Sequence, residues 1–145
     1  MFVLIVGAGR VGSAVAKAAL AAGHEVSVLD EDPLSHERLD VGADGTWEDR
    51  GGLFTVGTAL EIDALLEAGI ERSDTFVAAT DGDNTNIVIA QAAQKHFEVP
   101  TVVVRVLDPA RAQFYAARGM RIVCPTSAAI ESLVEAVRAT EEAPV

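Results

Sequence analysis

Six residues, Gly7-Ala8-Gly9-Arg10-Val11-Gly12, follow directly on five apolar ones, Phe2-Val3-Leu4-Ile5-Val6. No polar residue interrupts the apolar run, the pattern of a strand covered on both faces. Beyond the glycines, apolar or small residues at 11, 14, 15 and 18 form one helical stripe, and Gly23 supplies a left-handed helix end. Strand, glycine turn and helix in that order leave few folds open. In a GxGxxG turn the first glycine permits the tight bend, the second lets backbone approach a diphosphate, and the third lets the helix pack closely. The helix start adds amides without intrahelical partners and about half a positive charge. The spacing predicts an anion cradle over residues 7–12.

The pattern of short β-branched run and Ala-rich helical stretch repeats six times, which predicts βαβ units on a parallel sheet. Strands are expected at 2–6, 26–29, 53–56, 75–79, 101–107 and 121–124. Asp32 and Pro33 suit a cap and a first helical turn, as do Asp108 and Pro109. Gly42 to Gly52, with four glycines and Trp47, reads as a loop. Thr58-Ala59-Leu60-Glu61 matches a capping box opening a helix that ends at Gly69. Another helix is expected from the 80–84 turn to about Phe97 and another up to Gly119. A final helix from Pro125 carries apolar residues at 129, 130, 133, 134 and 137. That stripe fits either packing on its own sheet or docking on a partner subunit. Residues 1–140 are expected to form one domain, with a frayed tail at 141–145.

The size fits this reading: 145 residues suit one domain burying about two-thirds of its unfolded surface. A net charge of −11 is the wrong sign for gathering nucleic acid or anionic lipid non-specifically. One cysteine excludes an internal disulfide, and no Cys pair or Cys/His cluster signals structural zinc, so no metal is expected. A reducing cytoplasm fits best. No stretch approaches the ~20 apolar residues of a membrane helix, so a membrane connection would go through a partner.

Asp30 lies 18 positions beyond Gly12 at the tip of the second strand, close to the spacing of the acid that accepts hydrogen bonds from an adenosine ribose. The alternative is a solvent-facing strand end. With Glu31 and Asp32 beside it, a 2′-phosphate is disfavoured, and NADP with it. Arg10, inside the glycine turn, either reaches a terminal phosphate or points into water. His24, His36 and His96 read as solvated, and Cys124 as a packed, inert thiol. No catalytic residue is expected, and the proton donor and substrate pocket of a dehydrogenase find no counterpart.

Several further segments carry a family resemblance. Leu29-Asp30-Glu31-Asp32-Pro33, Leu66-Glu67-Ala68-Gly69-Ile70 with Ser73-Asp74, Ala79-Thr80-Asp81-Gly82-Asp83-Asn84-Thr85-Asn86, and Val104-Arg105-Val106-Leu107-Asp108-Pro109 follow the glycine turn in register. With Gly119 and Cys124-Pro125-Thr126, the chain resembles the TrkA-N (RCK, KTN) domains of cytoplasmic regulators of potassium transport. The resemblance implies a Rossmann-like α/β fold, a doubly wound and mostly parallel six-stranded sheet with helices on both faces. It implies binding of NAD(H) or ATP/ADP and a homodimer, within a possible higher ring, that regulates a membrane potassium transporter or channel subunit from the cytoplasmic face. It assigns phosphate contacts to Gly7, Gly9, Arg10 and Gly12, with Ala8 and Val11 in the same motif, and ribose contact to Asp30, with Glu31 adjacent. It places Thr58 and Ala59 near adenine, Thr80 and Asp81 along the ribose-phosphate edge, and Arg105 facing the phosphates or the dimer neighbour. By the same resemblance, a triphosphate engaging Arg10 and Arg105 would favour one inter-domain arrangement and a diphosphate or dinucleotide another.

Three departures qualify it. Many relatives carry Gly-Asp where Gly57-Thr58 stands, so an adenine acceptor and, in some relatives, a cation site are missing, and calcium gating is not expected. The stretch from Asp30 to Gly57 is longer, implying a flap around Trp47, and no C-terminal RCK domain is recognised. The rival readings are an NAD-dependent oxidoreductase or its cofactor domain, and a nucleotide-sensing scaffold for an unrelated partner.

Overall fold

A computed structural model describes residues 1–142. Six strands, β1 (Phe2–Val6), β2 (Glu25–Asp30), β3 (Leu53–Val56), β4 (Thr75–Ala78), β5 (Thr101–Arg105) and β6 (Arg121–Val123), form one sheet ordered β3-β2-β1-β4-β5-β6. Every pairing is parallel, so the sheet is wholly rather than mostly parallel. The order reverses direction after β1, which opens a crevice at the carboxyl ends of β1 and β4.

Helices α1 (Arg10–Ala21) and α2 (His36–Asp40) lie on one face. There Val3, Ile5, Val26 and Val28 pack with Ala16, Leu39 and Trp47. Alternate strand residues turn to the other face, where Leu4, Val6, Leu29, Phe76 and Val104 meet α3 (Ile62–Glu67), α4 (Asp83–Lys95) and α5 (Pro109–Ala116). Two-sided burial accounts for the continuous apolar run of β1, buried at all five positions.

The 42–52 segment is a loop, and its Trp47 is fully buried beneath it. The indole Nε1 donates to Leu53 O at 2.9 Å, and the Trp47 amide donates to Asp40 Oδ1 at 2.7 Å. Gly52 is obligatory here, because a Cβ would stand 2.1 Å from the indole ring.

Three local expectations are corrected. The capping box does not form: Thr58 Oγ1 accepts from the Leu60 amide at 3.3 Å, and α3 starts four residues later at Ile62. The Gly57 amide donates to Asp30 O and Ala59 is buried, so residues 57–61 cross the sheet edge as a turn. β5 stops at Arg105 rather than Leu107, because the Asp83 carboxylate takes the Leu107 and Asp108 amides at 2.8 and 3.0 Å. Cys124 lies just beyond β6 and is half-buried, its Sγ 3.5 Å from the Ser127 amide.

The final helix, α6 (Pro125–Glu142), buries no residue. Ile130, Leu133, Val134 and Val137 are all exposed, so packing on its own sheet is excluded for this stripe. The helix runs through Glu142, into the tail expected at 141–145, and the rest of that tail lies outside the described residues. No helix among the described residues is long and apolar enough to cross a membrane.

Trp47→Ala should cost about 3–5 kcal/mol, the range for deleting a buried large aromatic. Chemical denaturation followed by far-UV circular dichroism measures it.

Candidate functional site

The crevice at the carboxyl edge is a cleft of about 570 Å³. Its floor is the turn after β1. Gly7 has φ +101° and packs so closely on β4 that a Cβ would stand 2.6 Å from Ala79 O. A Cβ on Gly12 would stand 1.7 Å from Gly7 O, so α1 is drawn onto the strand end to a degree only glycine permits. Gly9 differs: the space where its Cβ would point is empty to 4 Å, and Gly9 lines the cleft. Gly9 caps α1, its carbonyl accepting the Ser13 amide at 3.0 Å and Ser13 Oγ at 2.6 Å. The N-cap of α1 therefore borders an open hollow, next to the helix start where amides lack intrahelical partners, a setting that suits a diphosphate.

Asp30 closes the cleft on the β2 side. Its Oδ2 accepts the Ala8 amide at 2.7 Å and its Oδ1 the Asp32 amide at 2.8 Å. One carboxylate thus ties the glycine turn to the end of β2. Two oxygens offer about four acceptor positions, so lone pairs remain for a ribose hydroxyl. Glu31 and Asp32 line the same wall, and Asp32 Oδ1 caps the 3-10 turn Pro33–Ser35 by accepting from the Leu34 amide.

The opposite walls are the turns after β3 and β4. Gly57, Thr58, Ala59 and Leu60 form one, and Ala79 to Gly82 with Thr85 the other. The second is held by Asn86, which is 1% exposed. Asn86 Oδ1 accepts the Thr80 amide and hydroxyl at 3.0 and 2.6 Å, while its Nδ2 donates to Thr80 O and Arg105 O at 3.0 and 2.9 Å. These bonds fix the amide's orientation and lock the turn to the end of β5.

Of the expected residues, Gly7, Gly9, Asp30, Glu31, Thr58, Ala59, Thr80 and Asp81 line the cleft. Ala8 is buried beneath it, Gly12 sits under the turn, and Val11 is exposed on α1. Arg10 is exposed on the first turn of α1, beside the cleft rather than in its wall. Arg105 supports the wall from behind: its Nη1 donates to Thr80 O at 3.1 Å and lies 3.6 Å from Asp81 Oδ1. The cation that does line the cleft is Arg38, which sequence reasoning passed over. Its Nη1 lies 3.3 Å from both Ala8 O and Ser35 Oγ. The signal was the i, i+3 spacing of Ser35 and Arg38, which turns both toward the strand end.

With this geometry in view, the TrkA-N domain family model matches residues 3–125. The chain belongs to the TrkA-N domain family. The Trk system potassium uptake protein TrkA of Streptomyces coelicolor is 41% identical over 130 residues, covering 90% of this chain and 53% of that protein. The TrkA-N chain therefore spans just over half the length of that relative. Among solved structures, the AMP-bound Kef CTD of Shewanella denitrificans superposes with TM-score 0.75 at 26% identity, over 97% of this chain and 82% of that one. The GsuK channel bound to NAD gives TM-score 0.77 at 22% identity, over 97% of this chain and 24% of that one, a likeness of fold.

Two glycines separate the demands of fold and ligand. Gly12→Ala should destabilise the TrkA-N domain by about 3 kcal/mol or more, since backbone rather than a side chain must yield. Gly9→Ala should cost under about 1 kcal/mol, the loss at a helix cap. Thermal unfolding of both variants checks the contrast.

Proposed function

We propose that this TrkA-N domain is a non-enzymatic adenine-nucleotide sensor that regulates a membrane potassium transporter or channel subunit from the cytoplasmic side. The observation that carries the reading is the open hollow over Gly9, at the start of α1 and beside Asp30. A nucleotide would lay its phosphates over Gly7, Gly9 and the first-turn amides, its ribose against Asp30 and its adenine toward Thr58 and Ala59. Thr80 and Asp81 would border the ribose-phosphate edge. Arg10 would swing over a terminal phosphate, while Arg105 would steady the Thr80–Asp81 turn. Asp30, Glu31, Asp32 and Asp81 make a 2′-phosphate costly, which favours NAD(H), ATP or ADP over NADP(H). The AMP- and NAD-bound neighbours support this reading, and the TrkA relatives support the potassium partner.

Regulation needs only that the ligand bind two arrangements of the assembly with different affinity. A homodimer through the late elements would supply them. On the α1 face, α1 and α2 pack against β1–β3, while Val103 is half-buried and Val123 is 54% exposed. An apolar α6 and a partly bare sheet face suit a second copy of the chain.

A thermal-shift panel of ATP, ADP, AMP, NAD, NADH and NADPH tests the sensor. At a hundredfold excess over Kd, binding should add about 2.7 kcal/mol. NADPH should give the smallest shift, Arg10→Ala should weaken ATP and ADP more than AMP, and Gly9→Ala should abolish every shift. No shift with any nucleotide overturns the proposal. Rubidium uptake in cells lacking the protein tests the transport partner.

The dimer has its own test. Leu133→Asp should shift the protein from dimer to monomer in sedimentation equilibrium without lowering its helix content. An unchanged mass would remove α6 from the interface.

A further inference from the structure

We propose that His36, Asp40 and Glu48 form a binding site for a borderline divalent transition ion such as Zn²⁺, which staples the 42–52 loop to α2. His36 and Asp40 stand at the two ends of α2, four residues apart and therefore on one face. Glu48 comes from the loop, and one donor atom from each of the three lies within 4.8 Å of the others.

The separation of two of the donors suits an ion. His36 Nδ1 and Asp40 Oδ2 are 3.4 Å apart, close to the separation of two ligands on a tetrahedral ion with bonds of about 2.0–2.1 Å. Glu48 Oε1 meets the other ring nitrogen, Nε2, at 2.5 Å. Its side chain is half exposed, and binding would require its carboxylate to leave Nε2 and turn onto an ion held at Nδ1. Water completes the shell. One imidazole with two carboxylates selects zinc, cobalt or nickel over magnesium and calcium, which prefer an all-oxygen shell.

The surrounding groups hold the donors in place, as outer-shell partners do in metal sites. Asp40 turns its second oxygen, Oδ1, to the Trp47 amide at 2.7 Å, leaving Oδ2 for the ion. The His36 ring stands edge-on to Phe54 with centroids 5.1 Å apart. Two carboxylates balance a dication in a chain already carrying −11. The site lies outside the nucleotide cleft, yet α2 also carries Arg38, which lines that cleft. An ion here would hold α2 and the loop as one body. The inference does not depend on nucleotide binding.

Trp47 is the sole tryptophan, buried one residue from Glu48, and reports the event directly. Purified chain, stripped with chelator, would be titrated with Zn²⁺ by calorimetry and by tryptophan emission. One equivalent should saturate both signals and raise the melting temperature, while Mg²⁺ at the same concentration should leave emission unchanged. His36→Gln and Glu48→Gln should each weaken Zn²⁺ binding at least tenfold, with melting of the metal-free protein compared alongside. Because Glu48 is half exposed, Glu48→Gln keeps the test valid if His36→Gln folds poorly. A double His24→Gln, His96→Gln variant should bind as the parent does. Absence of saturation at one equivalent, or binding that survives both Glu48→Gln and His36→Gln, overturns the site.

Discussion

The contact on which the site depends is the Asp30 carboxylate accepting the Ala8 amide at 2.7 Å. A turn with three glycines has little intrinsic reason to hold one shape, since glycine gives up more backbone entropy on ordering than any other residue. Two constraints supply that reason. From below, Gly7 O fills the space where a Gly12 side chain would stand, pulling α1 against the end of β1. From the side, Asp30 fixes the amide between the first two glycines. The cradle is thus built before any ligand arrives, and a bound anion would not have to order it. Preorganisation of this kind reduces the cost of binding.

Asp30 has a second consequence because Oδ1 also holds the Asp32 amide, and Asp32 in turn caps the segment leading into α2. The glycine turn, the end of β2 and the start of α2 therefore move together. Arg38 closes the circuit from α2 back to Ala8 O. On the other side of the crevice Asn86 ties the turn after β4 to the last residue of β5, and Asp83, at the start of α4, holds two successive amides of the segment after β5. The cleft is a gap between two internally cross-linked halves. A ligand spanning Asp30 and Thr80 would bridge them, which is how a small molecule could bias the geometry of the whole domain.

Most of the fold was legible because its signals are local. The apolar run of β1, the glycine turn, the Asp-Pro helix starts at 32–33 and 108–109, and Gly23, Gly69 and Gly119 with φ near +90° each report on their own few residues. The capping box at 58–61 failed for the opposite reason. Its residues match the motif, but the Gly57 tie to Asp30 and the burial of Ala59 recruit them into a turn, and tertiary contact overrides a preference of about 1 kcal/mol. The glycine turn and Asp30 were readable from spacing alone. Arg38, Asn86 and the His36–Asp40–Glu48 group were not: the Ser35–Arg38 and His36–Asp40 spacings are local, but the contacts to Ala8, Arg105 and Glu48 that give them meaning come from other segments. A search for Cys and His clusters also passes over a site in which carboxylates supply two of three donors.

The α6 helix shows how sequence and structure divide the labour. Periodicity identified its apolar stripe but left open whether the stripe faced inward or outward. The structure decides that question: Ile130, Leu133, Val134 and Val137 are exposed on an 18-residue helix that buries nothing. Four large apolar residues along one helix are more than scattered surface hydrophobes usually amount to, and such patches mark contact sites. Val123 on the edge strand β6 and the half-buried Val103 of β5 carry apolar surface onto the adjoining sheet face. A second chain covering both would also come close to Arg105, whose guanidinium braces the Thr80–Asp81 wall of the cleft. Through that one side chain, a neighbouring subunit on this face would be linked to the Thr80–Asp81 wall of the cleft.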